Sequence, residues 1–133
     1  MRLVHLCLFA LVLFSCKKSS DPQTGSLKVS LKQCEKLSLG GRYVNICFNS
    51  VEDGRCPSDM ECFWEGVAKA SFTITVGSQQ KTFNLGTMTV YSGYPQDTTV
   101  LGYKIKLKSL NPHPVMHPPA PLPPYEAELE ITK

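Results

Sequence analysis

Tyr103-Lys104-Ile105-Lys106-Leu107-Lys108 and Tyr125-Glu126-Ala127-Glu128-Leu129-Glu130-Ile131 carry apolar and charged residues in strict alternation. Successive side chains of an extended strand point to opposite faces, so each run reads as a strand with one buried and one solvated face. Placed antiparallel, the two runs set Lys104 opposite Glu130, Lys106 opposite Glu128 and Lys108 opposite Glu126. Exposed cross-strand ion pairs contribute only ~0.2–1 kcal/mol each, and their expected role is to fix register. A slip by one residue would turn the charges into the core.

The same alternation recurs upstream. Ala68, Ala70, Phe72, Ile74 and Val76 are separated by Lys69, Ser71, Thr73 and Thr75, which predicts a long half-buried strand. Gly77-Ser78 then turns the chain into a second strand over residues 80–85, a hairpin signal. A short strand is expected over 88–91, before the break at Ser92-Gly93-Tyr94-Pro95. Two further runs, 27–34 and 43–49, alternate as well and are joined through Gly40-Gly41. No stretch has a helical period. About seven short strands separated by Gly, Pro, Asn and Ser define an all-β chain, a small antiparallel β-sandwich or barrel.

Six cysteines punctuate the chain. In the 27–34 run the apolar residues are odd-numbered, which places Cys34 on the polar face with Lys28 and Lys32. In the 43–49 run Val44, Ile46 and Phe48 form the apolar set, so Cys47 is also on the polar face. Cys56 and Cys62 enclose Pro57-Ser58-Asp59-Met60-Glu61 and most simply close that loop on itself. Four cysteines allow three connectivities, and this patterning favours Cys34 with Cys47 and Cys56 with Cys62. Chain-entropy models assign ~3 kcal/mol to a closed loop of about fifteen residues. A four-cysteine zinc site is the rival reading, but the chain has no C-x-x-C pair.

The other two cysteines lie in the leader region. Residues 3–14 are apolar except for His5, follow a single Arg2, and fall well short of the ~20 residues a spanning helix needs. Leu13-Phe14-Ser15-Cys16 resembles the lipobox of bacterial lipoprotein precursors. That resemblance implies a signal peptide over 1–15 and a mature chain beginning at Cys16, with a diacylglycerol and usually a further acyl chain such as palmitate. One chain holds a protein marginally on a membrane, and two or more hold it stably. Residues 16–26 then form the lipidated start and a polar, turn-rich tether, with a root-mean-square reach of roughly 17 Å over ten residues. Residues 27–133 make a single β-domain. Loss of Arg2 reduces the formal charge from +3 to +2. The remaining charges are interspersed, without the basic stripe that nucleic-acid binding requires. Lys17 and Lys18 after the lipidated residue resemble outer-membrane sorting patterns of Gram-negative bacteria, and would lie beside the head groups.

Asp53-Gly54-Arg55-Cys56-Pro57-Ser58-Asp59-Met60-Glu61-Cys62-Phe63-Trp64-Glu65-Gly66 resembles the Arg-Cys-Pro … Cys-x-Trp-x-Gly motif of a family of small exported bacterial lipoproteins of unknown function. Gly102-Tyr103 and Pro124-Tyr125 at the openings of later strands also fit, and the likeness covers roughly residues 43–131. It implies an envelope β-domain with a Cys56–Cys62 loop and carries over no catalytic residue. Cys34, Cys47 and the density of prolines depart from the pattern.

Candidate sites are few. Trp64 is either a binding anchor, a role for which tryptophan is enriched, or a filler packed over the Cys56–Cys62 sulfurs; the second is the commoner use in a small domain. Glu52, Asp53, Asp59, Glu61 and Glu65 crowd the same loop, yet their spacing matches no calcium loop. Residues 111–124 hold seven prolines with His113, Met116 and His117 among them. Soft ligands of this kind suit copper, although extended chain sets the two imidazoles roughly 12 Å apart. The simpler reading is a stiff surface connection. No nucleophile–base pair or phosphate-cradling glycine motif is present, so no enzyme activity and no cofactor are expected. The expected function is a membrane-anchored envelope binding module. Its partners are lipid through Cys16 and an envelope protein. Copper binding through His113, Met116 and His117, or a protease-inhibitor-like Cys56–Cys62 loop, are the alternatives.

Overall fold

The alternating runs fold as strands, and their apolar faces meet. A computed structural model describes residues 21–89 and 93–133. The leader, Cys16 and the first part of the tether lie outside the described residues, as do Val90 and Tyr91 of the short strand expected at 88–91, whose first half, Met88 and Thr89, is not in a strand. Eight strands follow in order: β1 (Thr24–Ser30), β2 (Cys34–Leu39), β3 (Arg42–Asp53), β4 (Ala68–Val76), β5 (Gln79–Gly86), β6 (Asp97–Val100), β7 (Tyr103–Asn111) and β8 (Glu126–Thr132). They form two antiparallel sheets, ordered β1-β8-β7-β6 and β2-β3-β4-β5. Val29, Ile105, Leu107, Leu129 and Ile131 of the first sheet and Val44, Ile46, Phe48, Phe72, Ile74 and Leu85 of the second are fully buried between them. Phe48, Phe72 and Phe83 stack in a row, with ring centroids 4.9 and 5.6 Å apart.

The run over 27–34 is not one strand. It breaks after Ser30, turns through Lys32 at φ 66°, and resumes as β2 in the opposite sheet. Alternation continues through the break on both sides, so periodicity alone could not reveal a change of sheet. Cys34 nonetheless stands directly opposite Cys47 in the β2–β3 ladder, with Cα atoms 4.0 Å apart, and the two are bonded, as are Cys56 and Cys62.

The lysine–glutamate ladder differs from expectation. Lys104 faces Thr132 and Lys106 faces Glu130; a bulge at Lys108 then sets Ser109 opposite Glu128 and Asn111 opposite Glu126. The charges pair elsewhere: Lys108 with Glu130 at 3.5 Å, Lys104 with Asp97 of β6 at 3.4 Å, and Lys28 of β1 with Glu126 at 3.9 Å. A shift of two residues keeps every side chain on its own face. The alternation therefore fixed the faces and left the register open.

Strand reversals divide the molecule into two poles. The tight turns at Gly40-Gly41, Gly77-Ser78 and Leu101-Gly102, and the start of β1, lie at one end. The crossover at 31–33, the long connections 54–67 and 112–125, and the described ends of the connection between β5 and β6 lie at the other, the loop pole.

Candidate functional site

Two bulges shape the loop pole. In β3 the inward residues are Val44, Ile46 and Phe48, and an unpaired Asn49 then shifts the ladder between Phe48 and Ser50. A bulge puts two residues opposite one and so reverses the parity of everything beyond it. Val51 and Asp53, rather than Ser50 and Glu52, turn toward the interior. The bulge at Lys108 does the same in β7, and Leu110 joins the core.

Asp53 is thereby aimed at Arg55, and both side chains are almost fully removed from solvent. Arg55 donates from Nε to Oδ1 at 2.8 Å and from Nη2 to Oδ2 at 2.6 Å, the forked geometry that suits guanidinium and carboxylate. Its backbone N–H donates to Oδ1 at 3.1 Å, and the Tyr125 hydroxyl donates to Oδ2 at 2.9 Å. Burial opposes ionisation of Asp53, but the hydrogen bonds from Arg55 and Tyr125 outweigh it and hold the pKa below 3.8. Burial, with the Asp53 carboxylate alongside, pushes the Tyr125 phenol above 10.0. The remaining Arg55 donors reach across the pole: Nη1 to the Leu110 carbonyl and Nη2 to the Pro112 carbonyl, both at 2.9 Å.

This clamp joins the disulfide loop to the proline segment, and further bonds continue the seam. The Ser58 N–H donates to the Pro114 carbonyl at 2.9 Å, and His113 Nε2 donates to the Cys56 carbonyl at 2.8 Å. The Asp59 carboxylate accepts the backbone N–H groups of Met116 and His117, at 2.8 and 3.1 Å. The bond from Met116 is the main reason that the Asp59 pKa falls below its usual value. Within the loop, the Met60 N–H closes a turn onto the Pro57 carbonyl at 3.1 Å. Gly66 ends it at φ +68°, where a Cβ would come within 1.9 Å of the Gly54 carbonyl oxygen; no other residue fits there.

Asp53, Asp59 and Glu52 thus serve separate partners, with Glu52 reaching Lys69 at 3.6 Å. Among the described residues no group of three or more His, Cys, Asp or Glu is placed to hold a metal ion. Trp64 does not pack as a filler over the disulfide. It is 58% exposed, and its neighbour Phe63 is completely so. Met60 on the same loop, and Met116 and Leu122 on the proline segment, are also exposed. An open depression of about 450 Å³ runs beside the seam, lined in part by Arg55, Glu65, Met88 and His113.

The seam was the part that residue patterns did not disclose. Asp53 and Arg55 stand two apart, a spacing that places strand side chains on one face and so signals a pair. Their link to Tyr125 depends on the bulge and on chain separated by 72 residues. No protein-family model, no curated protein and no solved structure matches the chain.

Proposed function

We propose that the chain is an exported lipoprotein held in the outer membrane of a Gram-negative envelope through an acylated Cys16, and that its β-sandwich is a non-enzymatic module whose loop pole binds another envelope protein. The leader pattern and the even set of oxidised cysteines support export. One observation carries the binding role: of the six large apolar side chains exposed among the described residues, five lie on the two cross-tied segments, and only Tyr43 does not. Scattered exposed apolar residues are ordinary, but a concentration of them on a braced surface marks an interaction site. Phe63, Trp64 and Met60 are the anchors, because a disulfide and a hydrogen-bonded seam hold them without the ordering cost of a flexible loop.

Neither alternative has comparable support. The two imidazoles are engaged with different partners, His113 Nε2 with the Cys56 carbonyl and His117 Nδ1 beside the Asp59 carboxylate at 3.7 Å. The Cys56–Cys62 loop is a closed turn rather than the extended segment that a substrate-mimicking inhibitor presents to a protease.

Crosslinking in intact cells tests the proposal. The native chain is expected to give a discrete adduct with an envelope protein, and Phe63→Ala/Trp64→Ala is expected to lose it. An unchanged adduct in that variant overturns the role assigned to the loop pole.

A further inference from the structure

The turn pole has chemistry of its own. The chain enters the sandwich there, and its entry is fixed: the Gln23 side-chain oxygen accepts the Gly40 N–H, and the Gln23 carbonyl accepts the Lys133 N–H at 3.0 Å. Beside it lies a cavity of about 410 Å³ lined by Arg42, Lys133, Tyr103 and the turns at Gly77-Ser78 and Leu101-Gly102, with two cationic side chains and no Asp or Glu in its wall. Arg42 and Lys133 are exposed, and neither forms an ion pair among the described residues. Tyr103 is 2% exposed, and its hydroxyl is the one buried side-chain polar atom without a hydrogen-bond partner among the described residues. Tyr43, next to Arg42, is 72% exposed. An aromatic ring with a polar tip beside cations is the composition of a membrane-interface surface.

Tether length rules out an inverted domain. Six residues lie between Cys16 and Gln23, and the seven steps of fully extended chain span at most ~25 Å. The loop pole lies roughly 36 Å away along β3, at ~3.3 Å per residue. An inverted domain, with its loops on the leaflet, would lift Gln23 farther than the tether reaches.

We propose that the turn pole is a membrane-facing surface in which Arg42 and Lys133 receive the phosphate of an anionic phospholipid from the leaflet that holds Cys16, so that the domain stands upright with the Cys56–Cys62 loop outermost. This rests on the lipid anchor proposed above. The carboxylates of Glu52, Asp59, Glu61 and Glu65 gather at the far pole, where an anionic leaflet would repel them.

The test uses the full-length lipidated protein, reconstituted on vesicles of phosphatidylcholine alone and on vesicles that also contain phosphatidylglycerol. Flotation on both is expected. Amide hydrogen exchange at the Gly40-Gly41, Gly77-Ser78 and Leu101-Gly102 turns should slow several-fold on the anionic vesicles only, with the Cys56–Cys62 loop unaffected. Arg42→Gln/Lys133→Gln and Arg42→Glu/Lys133→Glu should both abolish the difference while still floating. Failure to float on phosphatidylcholine overturns the anchor and the orientation that depends on it. Flotation with equal exchange on both vesicles, with slowing at the disulfide loop instead, or with equal slowing by free inorganic phosphate alone, overturns the membrane-facing pole and leaves the anchor standing.

Discussion

Asp53 shows how much one side chain can hold. Its carboxylate accepts bonds from Arg55 and Tyr125, and Arg55 in turn grips two carbonyls of the proline segment. Removing one partner of a nearly buried ion pair strands the other charge, which typically costs about 3–5 kcal/mol. Asp53→Asn is therefore expected to lower unfolding free energy by about that amount in urea melts, whereas Glu52→Gln, at the exposed neighbouring position, should change it by less than about 0.5 kcal/mol. The same cluster sets two pH limits. A carboxylate whose folded pKa lies below 3.8 stabilises fully above that value, and the contribution disappears as pH falls through the folded pKa. A phenol whose folded pKa lies above 10.0 stabilises fully below 10.0, and the contribution disappears as pH rises through the folded pKa. Stability measured against pH should thus fall at both extremes, and Tyr125→Phe should flatten the alkaline limb while costing about 1.5–3 kcal/mol at neutral pH. An alkaline limb unchanged by Tyr125→Phe would remove the phenol from this account.

At the scale of elements, the two disulfides do different work. Cys34 and Cys47 bridge directly opposed residues of β2 and β3 over a separation of 13, so the bond constrains the unfolded chain and leaves the ladder to hold the native one. Cys34→Ser/Cys47→Ser should lower unfolding free energy by about 3 kcal/mol, with the exchange pattern of the loop pole unchanged. Cys56 and Cys62 close a six-residue separation outside any strand. Cys56→Ser/Cys62→Ser should cost about 2 kcal/mol and, unlike the first pair, speed exchange at the Ser58, Met116 and His117 amides, because the turn that carries Asp59 loses its brace. Equal local effects from both pairs would refute this division. The paired lysine and glutamate runs belong to this scale as well. Their alternation assigned β7 and β8 to the correct faces. The ladder itself is offset by two residues up to the Lys108 bulge, and β8 is shared with β1 on its other side, where Lys28 pairs with Glu126.

For the whole molecule, polarity is the consequence that matters. Among the described residues the hairpin turns Gly40-Gly41, Gly77-Ser78 and Leu101-Gly102 lie at one end of the sandwich and the segments 54–67 and 112–125 at the other, so all the exposed large apolar side chains except Tyr43 are separated from the chain entry by the length of the strands. If the apolar loop pole serves binding rather than folding, Phe63→Ala/Trp64→Ala should leave the thermal midpoint unchanged within the effect of a surface substitution, about 0.5 kcal/mol, while eliminating the crosslinked partner. A large loss of stability in that variant would return Trp64 to a packing role.

The residues alone determined that the chain is all-β, which face of the β4, β5, β7 and β8 runs is buried, that Cys34 and Cys47 lie together on a solvated face, and that Cys56 and Cys62 close a loop. Each of these follows from period-two alternation or from short separation, and both are local properties of the chain. The tertiary structure decided the break that sends β1 and β2 to different sheets, the β6 strand of only four residues, the ladder offset, the exposure of Trp64 and the Asp53–Arg55–Tyr125 clamp. A two-residue offset, a change of sheet and a bulge that reverses parity leave local alternation legible on either side. Only packing against distant chain distinguishes them.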